Sequence, residues 1–318
     1  MTKFFEILAK PCLAWLCVGS RDTGGETPPR AFTIAACPRL LLRAAAPLPQ
    51  NEIALMPLLS SSLPRPLALL RACLVLAGAL ACHPPGVAAE LKQYQYHQVF
   101  ISTCRADPRT DTIRMYWKDA SGAPLGNFAR LDAQLRAQGQ EMVCATNAGI
   151  YDKQLQPLGL YVENGTQLRR LNTRKNAYGN FYLQPNGVFV LGERQAYIVE
   201  TGDYEAEIGL WNSVARYATQ SGPLLIVEGR INPRFDPGSA NTVVRNAACL
   251  DAAGVVTLAI ARNPISFYDF ATFLRDTLKC SDALYLDGSI SRMYPTLEAN
   301  MGPAFGAMIA VVKARTGK

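Results

Sequence analysis

Three turn signals punctuate residues 90–318 of this chain, and they set what it can fold into. Asn164-Gly165, Pro185-Asn186-Gly187 and Asp251–Gly254 each sit between short apolar runs. Asn, Asp and Gly accept the positive backbone φ that tight reversals need, so these runs read as β-hairpins. Phe181–Leu183 and Val188–Leu191 flank the second turn, and Val243–Leu250 and Val255–Ala261 flank the third. Further strand-like runs are Val99–Thr103, Thr112–Trp117, Met142–Thr146, Leu158–Val162, Ala196–Glu200, Arg216–Thr219, Leu224–Val227, Ala283–Leu286 and Ala307–Val312. Two segments have helical spacing instead. Phe128, Leu131 and Leu135 predict a helix over Asn127–Gln138, stopped by Gly139. Ser266 with Asp269 three residues on is a capping box, opening a helix with Phe267, Phe270, Phe273 and Leu274 on one face. Many hairpin strands with few helices predict an α+β fold: mixed, mainly antiparallel sheets and a few packed helices in a single domain.

The composition shifts near residue 90. Residues 1–89 are rich in Ala, Leu, Pro and Arg and lack a folding period. Arg65 and Arg71 precede an apolar block, Leu74–Ala81, and Val87-Ala88-Ala89 follows it. Basic, apolar, then small residues is the pattern of a secretory signal. If translation starts at Met56, residues 56–89 form a signal peptide ending near Ala89. Residues 1–55 are then an over-extended start or a disordered leader, and residues 90–318 form the folded domain. Cys82 in LAGALAC offers a lipoprotein alternative, ranked lower because Ala79 stands where Leu is usual. The apolar block is short for a transmembrane span. The expected location is periplasmic or secreted, with no stable span after cleavage.

Charge and rare residues exclude several chemistries. Of 32 Lys and Arg and 25 Asp and Glu, 8 and 4 precede Glu90, leaving 24 and 21 from Glu90 onward. That near balance, without basic runs interleaved with aromatics, gives nucleic acid binding no support. The two histidines are His83, in the leader, and His97, in a strand-like stretch, so a Ser-His-Asp or Cys-His mechanism lacks raw material. Chemistry here must run on carboxylates, Arg, Asn, Ser and Thr. Four cysteines remain beyond Glu90: Cys104, Cys144, Cys249 and Cys280. An exported chain would pair them, and the loop-bordering Cys104 and Cys280 are the pair expected.

Four polar clusters sit at strand ends. NAGIYD, Asn147–Asp152, combines small residues that let backbone approach a ligand with an amide and a carboxylate. ATQSGP offers Thr219, Gln220 and Ser221 as a polar lip. VVRNAA breaks an apolar strand with Arg245 and Asn246, and an Arg there pairs with an acid or holds an anion. ALYLDGSIS ends a buried run at Asp287, Gly288 and Ser289. Each has an ordinary reading when taken alone: a plain loop for NAGIYD and ATQSGP, a structural ion pair for Arg245, and a strand-end Asp-Gly turn for Asp287. A fifth segment, LNTRKNAYGN, Leu171–Asn180, reads as a solvated loop carrying Arg174 and Lys175.

Together these pieces resemble the phosphodiester glycosidases, the family that includes the lysosomal uncovering enzyme, and most closely its bacterial exported branch. The resemblance runs from about Val99 to Val312. NAGIYD resembles the family's Asn-Gly-Gly strand end, VRNA its Arg-Thr-Ala motif and LDGS its Leu-Asp-Gly-Gly motif; PLGLYVENG and ATQSGPLL also look like that branch. Asn246 stands where many members have Thr, and Ser289 where many have a second Gly.

The resemblance implies hydrolysis of the bond between a sugar's anomeric carbon and a phosphodiester oxygen. In that reading Arg245 holds phosphate, Asp287 is nucleophile or base, and Asn147 hydrogen-bonds sugar or phosphate. Asp152, Thr219, Gln220, Ser221, Asn246, Gly288 and Ser289 are further substrate-binding candidates. The partner is then a glycan or sugar-phosphate, and calcium could find hard oxygen ligands near Asp287. Two other readings use the same residues or none of them: a non-catalytic envelope protein binding the same ligand, and a structural envelope protein. Convergence of Asn147, Arg245 and Asp287 in one place separates the first two from the third.

Overall fold

The computed structural model describes residues 89–288 and 290–315. The leader, nearly all of the signal segment, Cys82, His83 and Ser289 lie outside the described residues. In chain order the elements are β1 (Glu90–Tyr96), β2 (Val99–Ala106), β3 (Thr112–Tyr116), α1 (Phe128–Ala137), β4 (Gln140–Asn147), β5 (Tyr161–Glu163), β6 (Thr166–Arg169), β7 (Gly187–Leu191) and β8 (Ala196–Glu200). Then follow α2 (Thr201–Ala206), α3 (Ile208–Val214), β9 (Tyr217–Ser221), β10 (Leu224–Val227), β11 (Arg230–Ile231), β12 (Val243–Asp251), β13 (Val256–Ile265), α4 (Phe267–Asp276), β14 (Cys280–Tyr285), β15 (Met293–Tyr294) and β16 (Met308–Ala314).

The strands form three sheets, ordered β1-β2-β13-β12-β14-β10-β11, β15-β4-β16-β3 and β6-β5-β9-β7-β8. Their pairings among the described residues are antiparallel. The fold is α+β, as the hairpin signals require. Asn164 and Gly165, at φ 51° and 76°, turn β5 into β6, and Gly254, at 76°, helps turn β12 into β13. Both expected helices form. Asn127 caps α1 by accepting from the Arg130 N–H, and the Ser266 hydroxyl caps α4 by accepting from the Asp269 N–H.

Some local expectations change. The Pro185-Asn186-Gly187 turn joins no hairpin. Asn180–Tyr182 is a 3₁₀ turn, and β7 pairs forward with β8 and β9. Pro185 has no N–H for a ladder, and the Asn186 amide instead donates to the Phe181 carbonyl at 2.9 Å. His97 occupies the β1–β2 turn at φ 51°, not a strand. The short helices α2 and α3 had no sequence signal strong enough to separate them from a loop.

Side-chain alternation along each strand divides the core. On one face of the seven-stranded sheet, Cys104, Ala248, Leu250, Leu258 and Leu284 pack with Cys144, Phe189 and Ile309 of the other two sheets. On the other face, Ala247, Cys249, Ala259 and Ala283 pack under Phe270, Phe273 and Leu274 of α4. Helix α1 covers the four-stranded sheet with Phe128, Leu131 and Leu135. No helix among the described residues is long and apolar enough to cross a membrane.

The disulfides are Cys104–Cys144 and Cys249–Cys280, which corrects the expected Cys104–Cys280 pair. Strands β2 and β14 are separated by β13 and β12, a gap of about 14 Å at ordinary strand spacing, beyond disulfide reach. Cys104 faces the interior, where β4 brings Cys144; Cys249 and Cys280 face α4 from adjacent strands. The bridges close chain separations of 40 and 31 residues. On loop entropy each stabilises by about 4 kcal/mol. Replacing Cys104 and Cys144 together by Ala therefore lowers Tm by roughly 10 °C, readable by calorimetry. An unchanged Tm would show the bridge to be incidental.

Candidate active site

The ends of β4, β12 and β14 meet at one point. Asn147 is the last residue of β4, Asn246 lies in β12, and Asp287 follows β14 by two residues; all three are buried. Three amide contacts join them. The Asn147 side-chain N–H donates to Asp287 Oδ2 at 3.3 Å. The Asn246 side-chain N–H donates to Asn147 Oδ1 at 3.1 Å and also to its carbonyl and to Thr146 Oγ1. The Asp287 backbone N–H donates back to Asn246 Oδ1 at 2.8 Å. Asn147 Oδ1 takes a second bond from the Arg292 N–H at 3.0 Å. The Ser291 hydroxyl donates to the Asp287 carbonyl, closing the following turn.

Arg245 reaches this turn from the other side. It neighbours Asn246 on β12, so alternation sends its side chain to the α4 face. It is wholly buried, yet no carboxylate pairs with it among the described residues. Its Nε donates to the Ile265 carbonyl at 2.7 Å and Nη2 to the Asn241 carbonyl at 2.9 Å. The guanidinium lies 3.6 Å from the centre of the Phe267 ring. Nη1 is buried without a hydrogen bond of good geometry. Burial pulls the guanidinium below its usual value, and the Tyr285 phenol beside it opposes that shift. Arginine stays charged regardless.

Two tyrosines complete the place, and neither was a candidate from sequence. Tyr285 is the last residue of β14, and burial pushes its phenol up to about 12, with Arg245 pulling it down and Asp287 pushing it up. The Asn180 amide is its other polar neighbour. Burial also raises the Tyr151 phenol, chiefly, with Asp287 adding to the rise and Arg292 opposing it. Both phenol oxygens are buried without a hydrogen bond of good geometry. Asp287 is the one carboxylate acting on either ring. Both tyrosines lie inside motifs already singled out, NAGIYD and ALYLDGS.

Gly288 is required by this packing. A Cβ at that position would lie 1.6 Å from the Tyr285 hydroxyl and 3.3 Å from the Val244 carbonyl. Gly288→Ala is expected to cost about 2–3 kcal/mol through overpacking, a Tm loss of roughly 5–10 °C. Tyr285→Phe in the same chain should restore part of it, because the closest clashing atom is gone. Thermal melts of the two single variants and the double variant read this directly, and additive losses would refute it.

The remaining candidates divide. The Thr219 hydroxyl accepts from the Gly149 N–H at 3.3 Å, and the Ser221 hydroxyl donates to the Leu286 carbonyl at 2.8 Å. Both hold the loops that carry Asn147 and Asp287. Gln220 faces away from them. Its oxygen accepts from the Leu160 and Asn172 N–H groups, and its nitrogen donates to the Asn172 carbonyl and Thr201 Oγ1. With every capacity used, it anchors a loop and has none left for substrate. Asp152 closes its own turn by accepting from the Gln154 and Gln156 N–H groups at 2.9 Å. It is not in the Asp287 cluster, because the chain reverses before it. Among the described residues no three His, Cys, Asp or Glu side chains group as a metal site.

Just past the turn, a cleft of about 490 Å³ is lined by Val244, Ser291, Arg292, Phe100, Arg262 and Glu298, among others. Val244, next to Arg245, and Ser291, four residues past Asp287, form part of its wall, and Arg262 pairs with Glu298 at 2.6 Å along it.

Comparison with known proteins agrees with the motifs. An uncharacterized protein of Escherichia coli K12, YigE, is 37% identical over 194 residues, covering 61% of this chain and 74% of that one. Among solved structures, the catalytic domain of zebrafish N-acetylglucosamine-1-phosphodiester alpha-N-acetylglucosaminidase, auto-inhibited by its pro-peptide, superposes with a TM-score of 0.51. That match covers 73% of this chain and 85% of the other at 13% identity, and so speaks to the fold. The phosphodiester glycosidase family matches residues 140–307, which carry Asn147, Arg245 and Asp287. The chain belongs to the phosphodiester glycosidase family.

Proposed function

We propose that this protein is an exported hydrolase that cleaves the bond between a sugar's anomeric carbon and the oxygen of a phosphodiester. The carrying observation is the meeting of one buried carboxylate, Asp287, with Asn147 and Asn246 beside a buried arginine that no acid neutralises. Ordinary glycosidases use two carboxyl groups, one to protonate a basic leaving oxygen. A phosphate ester is a weak base and leaves without that help. One carboxylate suffices, and the second charge needed is positive.

In this reading Arg245 and the Tyr285 hydroxyl hold the phosphate oxygens, where Nη1 and Oη have donors to spare. Asp287 acts as nucleophile on the anomeric carbon or as base toward water. The C–O bond breaks with its electron pair leaving on the phosphate, and water supplies oxygen to the sugar. Asn147 fixes one carboxylate oxygen of Asp287. The Tyr151 phenol, kept protonated by burial, can donate to the other groups gathered there.

Two internal disulfides support an oxidising compartment, and with it the signal peptide ending near Ala89. The test is a hydrolysis screen of the full chain on sugar-1-phosphodiesters, with and without calcium, reading free sugar and phosphate monoester. Release of both products without added calcium is expected. Measurable binding of such diesters with no product under any condition would instead make the protein a ligand-holding member of its family.

A further inference from the structure

Residues 168–182 carry a charge pattern that the site so far described does not use. Arg169, Arg170, Arg174 and Lys175 fall within this segment, and it contains no acid. Between Asp152 and Glu193 the single acid is Glu163, whose carboxylate accepts from the Tyr161 hydroxyl. Among the described residues no carboxylate pairs with Arg170, Arg174 or Lys175.

The segment is tied down at both ends. At its start, Asn172 is bonded both ways to the buried Gln220, and its own amide donates to the Leu158 carbonyl. At its end, Phe181 is buried and its carbonyl is held by Asn186. The stretch between is solvent-facing, with Tyr178 fully exposed. A hollow of about 740 Å³ lies along it, walled by Arg169, Arg170, Asn172 and Arg174. Its far end packs against the Gly222-Pro223 turn, where a Cβ on Gly222 would lie 3.4 Å from the Asn180 carbonyl, and the Pro223 carbonyl accepts from the N–H of Tyr285, the neighbour of Arg245, at 3.0 Å. The basic strap, the segment that carries these cations, therefore ends next to the phosphate end of the site.

We propose that the strap is a subsite for further phosphates of the same substrate, which is then a glycan polymer linked through repeated phosphodiesters. This rests on the sugar-1-phosphodiester reading above. Unpaired cations on a pinned backbone attract a polyanion at little ordering cost. An exposed tyrosine beside them offers a flat face for a sugar ring. A substrate with one phosphate fills only the Arg245 end and gains nothing from the strap.

The test compares the full chain with the Arg170→Gln/Arg174→Gln/Lys175→Gln variant. Each is assayed on a single-linkage sugar-1-phosphodiester and on an oligo(glycosyl phosphate) of several repeats. In the unmodified protein the oligomer should show the lower KM and the steeper loss of affinity with salt. The variant should raise KM for the oligomer about tenfold more than KM for the single diester, at similar kcat, and flatten the salt dependence. The same KM ratio and salt dependence in both proteins would overturn the proposal. If neither substrate is hydrolysed, the catalytic reading fails and the strap is judged separately. Fluorescence anisotropy with a labelled oligo(glycosyl phosphate) then decides: salt-sensitive binding weakened in the variant supports the subsite, and equal binding in both proteins overturns it.

Discussion

Asp287→Asn is expected to lower kcat on a sugar-1-phosphodiester by at least ~10³-fold while leaving Tm within a few degrees. The substitution is nearly isosteric. The Asn147 amide can still donate to the carbonyl oxygen of the new side chain, and the backbone N–H of residue 287 still reaches Asn246 Oδ1. Only the negative charge and its nucleophilicity are removed. A nucleophile or base cannot be replaced by a neutral amide, whereas a packing residue can. Turnover surviving within tenfold, in a protein shown to be folded, would remove Asp287 from the reaction.

Replacing Arg245 by Met should move activity and stability in different directions. An arginine retained for structure would be missed: breaking a buried ion pair costs several kcal/mol. Among the described residues Arg245 has no acid to lose, and its burial is itself unfavourable. Methionine keeps much of its volume against the Phe267 ring, so Tm should hold or rise. Removing a preorganised donor to developing phosphate charge should cost about 10²–10³ in kcat/KM. Arg245→Lys keeps the charge but loses the planar fork and the flat contact with Phe267, and should recover only a small part. A large fall in Tm with an unchanged rate in either variant would make Arg245 a structural residue.

Much of the architecture was legible because its signals are local. Asn164-Gly165 and the Asp251–Gly254 turn each act over four residues, and the caps at Asn127 and Ser266 over three. What was not legible is set by partners distant in sequence. The Cys104–Cys144 pairing depends on which sheet each strand joins, and no residue near either cysteine encodes that. Gln220 reads as a ligand-binding amide until Asn172 and Leu160 are seen to consume it. Asn147, Asn246 and Asp287 could be named as candidates from small residues at strand ends. Their mutual bonds could not, since they span 41 to 140 positions of the chain. Tyr151 and Tyr285 carry no sequence signal of a site, because an aromatic beside apolar residues is ordinarily core; what sets them apart is a buried, unpaired hydroxyl on which Asp287 acts.

Two of the groups that hold Asp287, the side chains of Asn147 and Asn246, are amides, and an amide has no proton to lose or gain at any pH where the protein is folded. That part of the scaffold is electrically silent. These two bonds do not weaken as acidity changes, and the two phenols nearby remain neutral far above neutrality. A rate profile should therefore show no limb that reports loss of this amide frame.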